Sequence, residues 1–158
     1  MTLSHITFIS ADPDRMEEVL IKVLKARKIY DSGDGGYSLA PERFYDIGGV
    51  WVAVMQGAAL RERSYNHVAF RVDEEELEER LAEIAALGLE VLPGRPRVAG
   101  EGHSIYFYGP DGHLIELHSG TLAERLRRYR AGRQVRAGAI GRQGLDMSIF
   151  AKKKPQGG

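Results

Sequence analysis

A carboxylate stands in a segment that otherwise predicts a buried strand. Glu116 lies in GHLIELHSG, residues 112–120, with leucine and isoleucine on either side of it. Side chains alternate along a strand, so His118 shares the face of Glu116. An ionised carboxylate in an apolar interior needs a cation or hydrogen-bond donors, whereas a strand-edge acid reaches solvent or pairs with an arginine. Glu116 alone is equally consistent with a buried carboxylate and with a strand-edge acid. Its neighbours in space distinguish the two.

Two histidines occupy equivalent positions in two similar segments. His5 in SHITFIS and His67 in YNHVAFRV each open a strand that is otherwise largely apolar. One such histidine is more often a hydrogen-bonded core residue than a ligand. Two equivalent ones would face each other if the halves are related by a pseudo-twofold axis. With Glu116 they would form a set of two imidazoles and one carboxylate, which leaves positions open on Fe(II), Mn(II) or Zn(II).

An offset of 62 residues relates the two histidines and limits the number of ligands. The same offset maps Glu116 onto Val54, which has no donor atom. A symmetric site with two carboxylates is therefore excluded, and three protein ligands are expected rather than four.

The offset also identifies a candidate general base. It maps Ser104 and Tyr106, in HSIYFY, onto Glu42 and Phe44, so both pairs should line the same kind of cavity. A carboxylate that is near a metal but not bound to it is suited to activate water. The alternative, which the sequence alone slightly favours, is a solvated acid beside Arg43 at the start of a strand.

The elements that must position these residues repeat one βαβββ pattern. In each half an alternating strand precedes a helix, capped by Asp12 before Pro13 in the first half and by Asp73 in the second. Three strands complete each half, near residues 28–31, 37–47 and 50–56 and near residues 89–92, 103–109 and 113–118. The predicted fold class is α+β, with modules at about 3–57 and 64–120.

Apolar stripes at helical spacing should pack the helices onto the sheets. The stripe of the first helix comprises Met16, Val19, Leu20, Val23 and Leu24. The stripe of the second comprises Leu77, Leu81, Ile84 and Leu87, and Gly88 ends that helix. A third helix, over residues 121–130, begins with the capping box TLAE.

Several arginines could bind an anion near this site. Arg95 and Arg97 lie in GRPRVAGEGHS, and Arg125 lies in the third helix. Guanidinium groups beside serine and tyrosine hydroxyls suit a phosphate or phosphonate. Surface arginines without a ligand are the simpler alternative.

Composition narrows the function classes. The chain of 158 residues has no cysteine, which excludes disulfides, thiolate metal sites and cysteine nucleophiles. No leader or apolar span is evident, so a cytoplasmic location and no membrane partner are expected. The net charge is zero, but residues 131–158 carry six basic residues against one acid and predict a basic, Gly/Arg-rich extension. No aromatic interleaving accompanies these charges, so a nucleic-acid partner is not expected.

Six segments of the chain resemble one known family. They are SHITFI, GVWVAVMQG, ERSYNHVAF, RPRVAGEGHSIYFY, DGHLIELHSGTL and ERLRRY. Paired βαβββ modules with a histidine on each first strand and a glutamate on the last strand resemble the vicinal oxygen chelate superfamily, which has the glyoxalase fold. The segments are more specifically similar to its fosfomycin-resistance branch, and within that branch to the FosX-type epoxide hydrolases. The similarity spans residues 3–130.

The resemblance implies a Mn(II) site in a domain-swapped homodimer. His5 of one subunit and His67 and Glu116 of the other match the family's metal ligands. Glu42 matches the acid that activates water in the hydrolases and that the thiol-transferase relatives lack. Residues that match or extend the substrate pocket are Thr7, Phe44, Trp51, Tyr65, Arg97 (with Arg95 as the alternative), Ser104, Tyr106 and Arg125.

The resemblance also implies the reaction, which is hydration of the fosfomycin epoxide to a vicinal diol phosphonate that confers antibiotic resistance. A thiol transferase that uses glutathione remains an alternative. An enzyme of the glyoxalase I type is a second alternative, although its four-ligand pattern has an acid where this chain has Val54. A metal-free binding protein of the bleomycin-resistance type is a third.

Overall fold

A computed structural model describes residues 1–34, 38–94 and 102–140, with side chains described as far as residue 131. The chain divides into two compact units, Met1–Gly120 and Thr121–Gly158. The first unit contains β1 (His5–Ser10), α1 (Pro13–Lys22), β2 (Arg27–Asp31), β3 (Glu42–Ile47), β4 (Val50–Gln56), β5 (His67–Arg71), α2 (Leu77–Ala86), β6 (Glu90–Val91), β7 (Ser104–Tyr108) and β8 (Leu114–His118). The second contains α3 (Leu122–Ile140).

Two four-stranded sheets of identical topology confirm the predicted pair of βαβββ modules. Their strand orders are β1-β4-β3-β2 and β5-β8-β7-β6. In each sheet the first strand runs parallel to the last strand of its module, and the remaining pairs are antiparallel. The first strand of each module is therefore an edge strand next to the last strand, and this adjacency positions the two histidines.

Helix α1 begins as the sequence predicts and buries the predicted stripe. The Asp12 carboxylate accepts a hydrogen bond from the Arg15 backbone N–H at 3.0 Å, and Pro13 occupies the first turn. All five apolar residues of the stripe are at most 9% exposed. This stripe joins one hydrophobic core that includes residues of both modules.

Helix α2 buries three of the four residues of its predicted stripe and differs at one position. Leu77, Ile84 and Leu87 are buried as predicted, but Leu81 is exposed and Arg80 is buried in its place. Positions 77, 80, 84 and 87 also lie on one helical face, so the spacing allowed either neighbour to point inward. Hydrophobicity predicts that Leu81 is buried, but the packing of the helix buries Arg80 instead.

Two element boundaries differ from the predictions. Strand β3 begins at Glu42 and not near residue 37, because Pro41 has no N–H to donate to a strand ladder. Helix α3 begins with the predicted capping box, in which Thr121 N–H and Oγ1 donate to Glu124 Oε2 at 2.7 Å. It continues to Ile140 instead of ending at residue 130. No helix in the described ranges has the length and hydropathy that a bilayer crossing requires.

Candidate functional site

Five polar or aromatic side chains share the open face of the second sheet. Strand β8 is flanked by β5 and β7, and Tyr106 lies opposite Glu116 while Ser104 lies opposite His118. His67 lies at the start of β5 on the same face. Glu116 is 5% exposed, so its carboxylate is buried among these neighbours. The period-two alternation of three adjacent strands therefore brings the carboxylate, two imidazoles and two hydroxyls to one place.

The orientation of His67 prepares one ring nitrogen to bind a cation. His67 Nδ1 lies 2.8 Å from the Tyr65 carbonyl oxygen, which can only accept a hydrogen bond, so Nδ1 carries the proton. In the neutral ring, Nε2 then presents a lone pair, and it lies 3.1 Å from Glu116 Oε2. Two lone pairs at this distance repel each other unless a proton or a metal ion lies between them. This imidazole and carboxylate pair fits the donor chemistry of a divalent transition metal.

The electrostatic environment keeps Glu116 ionised. Burial by itself raises the pKa of this carboxyl group, but hydrogen bonds from Ser104 and Tyr106, together with His118 and His67, lower it below its usual value. Burial raises the pKa of the Tyr106 hydroxyl, and its hydrogen bond to Glu116 raises it further. The site therefore combines an anionic ligand with a phenol that remains a proton donor.

Ser104 links Glu116 to His118. Its hydroxyl donates to Glu116 Oε1 at 2.6 Å and lies 2.8 Å from His118 Nδ1. His118 Nδ1 also lies 3.1 Å from the His103 carbonyl oxygen, which shows that this nitrogen carries the proton. A chain of hydrogen bonds thus runs from His118 through Ser104 to Glu116 and orients the carboxylate from the side opposite His67.

The first sheet carries the equivalent open face with different chemistry. His5 and Trp51 are register partners with ring centroids 4.4 Å apart, and Phe44 lies 5.1 Å from Trp51. Thr7 belongs to the same face through the alternation of β1. Trp51 is 41% exposed. This face is therefore open and aromatic around His5. Among the described residues, no buried carboxylate lies next to His5 as Glu116 lies next to His67.

Glu42 lies further along that face, opposite Met55 on β4. It lines a cavity of 160 Å³. The adjacent Arg43 points to the other side of the sheet and pairs with Asp14 at 2.7 Å and with Glu17 and Asp31 at 3.2 Å. Among the described residues, Arg43 is thus committed to other acids and leaves the Glu42 carboxylate available.

The predicted ligands divide into a pair and a single residue. His67 and Glu116 come together, whereas His5 lies on the first sheet, and no group of three His, Asp or Glu residues in the described part of the chain could hold a metal. Arg95 and Arg97 lie outside the described residues. Arg125 lies on α3, in the second unit. The sequence analysis missed the Tyr65 carbonyl as a partner of His67, because a backbone group leaves no signal in residue type.

Comparison with known proteins relates the chain to one family over most of its length. The model of the Glyoxalase/Bleomycin resistance protein/Dioxygenase superfamily matches residues 2–117. Fosfomycin resistance protein FosX of Listeria monocytogenes is 51% identical over 127 residues, which cover 80% of this chain and 96% of that protein. Metallothiol transferase FosB of Staphylococcus saprophyticus is 32% identical over 133 residues, 82% of this chain and 83% of that protein.

A solved structure extends the comparison to three dimensions. It is a crystal structure of a variant of the Listeria monocytogenes FosX complexed with Mn(II) and 1S,2S-dihydroxypropylphosphonic acid. The two chains align with a TM-score of 0.73 and 48% sequence identity, over 81% of this chain and 97% of that one.

Proposed function

Because the chain belongs to the Glyoxalase/Bleomycin resistance protein/Dioxygenase superfamily and, within it, to the FosX fosfomycin-resistance proteins, we propose that it adds water to the epoxide of fosfomycin. The product is a vicinal diol phosphonate, the same class of compound that accompanies Mn(II) in the FosX crystal structure. The observation that carries the proposal is the pair formed by His67 and Glu116, whose facing donor atoms lie 3.1 Å apart. The proposal makes the protein an enzyme of antibiotic resistance.

The proposed metal is Mn(II), held by His67 and Glu116 of one subunit and by His5 of a second copy. The exposed aromatic face around His5, which includes Trp51, supports such a domain-swapped homodimer. On the second sheet Tyr65 is likewise 67% exposed. Pairing the first module of one chain with the second module of another would cover both faces and complete the ligand set. When bound, Mn(II) acts as a Lewis acid on the epoxide and phosphonate oxygens.

Glu42 is the proposed general base. Its carboxylate accepts a proton from water while the water oxygen forms a bond to an epoxide carbon and the carbon–oxygen bond of the ring breaks. The former ring oxygen takes up a proton and becomes the second hydroxyl of the diol. The commitment of Arg43 to Asp14, Glu17 and Asp31 supports this role, because it leaves Glu42 without that cation.

The remaining pocket residues bind and orient the substrate. Thr7, Phe44 and Trp51 from the first sheet and Tyr65 and Tyr106 from the second are proposed to line it, with Arg97 or Arg95 and Arg125 holding the phosphonate. The Ser104 hydroxyl donates a hydrogen bond to Glu116. Ser104 is therefore proposed to position that carboxylate as well as to contact the substrate. Holding the reactants in one geometry lowers the entropic part of the barrier.

Product analysis separates this proposal from its alternatives. The purified protein is incubated with fosfomycin and Mn(II), with and without glutathione, and the products are followed by ³¹P NMR. We expect the diol at the same rate in both samples. A thiol adduct that forms only with glutathione would favour a transferase like FosB, to which the chain is also related. Tight binding of fosfomycin without turnover or metal uptake would indicate a binding protein.

A further inference from the structure

A second cavity lies on the helix side of β5, between the two modules. Its volume is 320 Å³. The first module contributes apolar residues from the end of α1 and from the turn between β3 and β4, and the second contributes β5 and the start of α2. The lining residues are Val23, Leu24, Ile47, Gly48, Val50, Ala69, Phe70, Arg71, Val72, Glu76 and Arg80. None of the predicted site residues is among them.

Arg80 is buried in this cavity with unused donors. The residue is 6% exposed, and its Nε and Nη1 atoms have no hydrogen-bond partner among the described residues. Its Nη2 donates to Glu76 Oε1. Glu79 Oε1 lies 3.8 Å from Nη1, beyond hydrogen-bond distance, and is engaged by Lys25 at 2.7 Å. A buried guanidinium normally satisfies its donors, so this side of the group is suited to an acceptor that the chain does not supply.

The lining of the cavity specifies the chemistry of that acceptor. Arg71 shares the face of β5 with His67, so among the described lining residues Arg80 is the cation on the helix side, with Glu76 on its Nη2. A monoanion adds one negative charge beside Glu76 and Glu79, whereas a dianion would add two. Adjacent Nε–H and Nη1–H groups match the two oxygens of a carboxylate. The aliphatic walls formed by Leu24, Val50 and their neighbours suit an apolar body of limited length.

We propose that this cavity binds a short-chain aliphatic monocarboxylate, with the carboxylate on Nε and Nη1 of Arg80 and the chain against the walls between the modules. The exposed position of Gly48 gives the ligand a route from solvent. Phe70 and Val72 lie on the face of β5 opposite His67, because successive side chains of a strand alternate. The carboxylate site is therefore separate from the proposed metal centre and does not depend on the proposed function.

The test uses sodium hexanoate as the probe and the full-length protein without added Mn(II), whose paramagnetism would broaden the resonances that are followed. We expect hexanoate to shift the ¹H–¹⁵N resonance of the Arg80 Nε–H saturably and to raise the melting temperature in proportion to occupancy. Hexanol, which lacks the charge, and inorganic phosphate, which lacks the chain, should each bind at least about tenfold more weakly. Equal binding of hexanol or of phosphate would contradict the proposal, as would the absence of a saturable shift with hexanoate.

Two variants locate the binding. Arg80→Met should weaken hexanoate binding by about tenfold or more, because the guanidinium donors are lost. Val50→Phe keeps Arg80 and fills part of the cavity, so it should also weaken hexanoate binding. If Arg80→Met does not fold, Val50→Phe still tests whether hexanoate binds in this cavity. Arg27→Met is the matched control, since Arg27 is a surface residue whose side chain is 73% exposed, and it should bind hexanoate like the parent protein. Unchanged affinity in Val50→Phe would overturn the assignment to this cavity.

Discussion

The two modules have the same strand order and the same helix position, yet their open faces differ in a consistent way. The second module buries a carboxylate against His67 and orients it through Ser104. The 62-residue offset predicts Val54 at the position equivalent to Glu116, but the strand register shows that this prediction was wrong by one residue. Ala53 is the equivalent residue, because it pairs with Thr7 and Phe44 as Glu116 pairs with Ala69 and Tyr106. Ala53 also has no donor atom, and the face of the first module carries His5 among exposed aromatic rings. After a duplication, one backbone can therefore hold an anionic metal ligand in one copy and a base and an aromatic wall in the other.

The helix-facing sides of the sheets differ in the opposite sense. Tyr45 of the first module is fully buried and donates to Glu17 Oε2 at 2.6 Å. The offset maps it onto Phe107, which is equally buried but has no hydroxyl. At this pair of positions the first module has a hydrogen bond to a carboxylate where the second is apolar, whereas on the open face the second has a buried carboxylate where the first has aromatic rings.

The largest effect is expected from the ligand that only the second module has. Glu116→Ala should lower Mn(II) affinity by at least about a hundredfold, because it removes an anionic donor and not an outer partner of a ligand. Metal content after dialysis and Mn(II) titration followed by EPR measure this loss. His118→Ala is the matched control and should lower the affinity by about tenfold or less, since His118 acts through Ser104. Equal losses in both variants would make His118 a ligand.

The next effect tests the acid that only the first module has. Glu42→Gln should retain Mn(II) and fosfomycin binding but lower the rate of diol formation by about a hundredfold to ten-thousandfold, because the amide cannot accept the proton. Turnover is measured by ³¹P NMR and substrate binding by calorimetry. Glu78→Gln, an exposed position on α2, should change neither quantity. Turnover near that of the parent protein in Glu42→Gln would remove Glu42 from the mechanism.

Exchanging the equivalent aromatic residues Tyr45 and Phe107 tests whether each module tolerates the aromatic residue of the other. Phe107→Tyr should lower the free energy of unfolding by about 2 kcal/mol, because its hydroxyl enters a fully apolar position. Tyr45→Phe should lower it by a similar amount, about 1.5–3 kcal/mol, the contribution of one hydrogen bond to a charged acceptor. Urea denaturation of both variants measures the two values. A neutral Phe107→Tyr would mean that Glu79 can accept the hydroxyl, as Glu17 does in the first module.

The smallest effect is a pH dependence that arises on the helix side of the first module. Burial raises the pKa of Glu17, but Tyr45, Lys28 and Arg43 together lower it below its usual value of 4.5. The unfolded chain then binds a proton more readily than the folded one, so Glu17 stabilises the fold fully above pH 4.5 and less as the pH falls through its folded pKa. Glu17→Gln should therefore lose at most about 1 kcal/mol at pH 7 and less at pH 3. The unfolding free energies at both pH values, compared with those of Glu18→Gln, check the sign. A loss in Glu17→Gln that is the same at both pH values would contradict the assignment.

The fold was predictable because its signals are local and occur twice. The stripe from Met16 to Leu24, the Asp12 cap and the alternation of β1 each predict one element, and the 62-residue offset verifies them against a second copy. Prediction was wrong where two neighbours satisfy the same period, as with Arg80 and Leu81. It was also wrong at the start of β3, where the loss of one donor at Pro41 outweighs the strand propensity of the preceding residues.

The candidate site was predictable in its residue types and only partly in its geometry. Imidazoles and a carboxylate at repeated strand positions are visible in the sequence, and so is the lack of a second carboxylate near the position equivalent to Glu116, although the register places Ala53 and not Val54 there. The proton on His67 Nδ1 depends on the Tyr65 carbonyl, and the direction of the Ser104 hydroxyl depends on its strand pairing with His118. These contacts join backbone groups and register partners, which have no periodic signal.

The sequence by itself determined the duplicated α+β fold and the kinds of atoms that the site offers, because side-chain periodicity and residue type are properties of the chain. Only the tertiary structure decided that Glu116 lies 3.1 Å from His67 while His5 lies on the other sheet. It also decided that Arg80 turns into the interior with two donors that have no hydrogen-bond partner in the described part of the chain. The physical reason is that a contact of about one hydrogen-bond length is set by register, tautomer and helix rotation. Each of these depends on the packing of several elements at once.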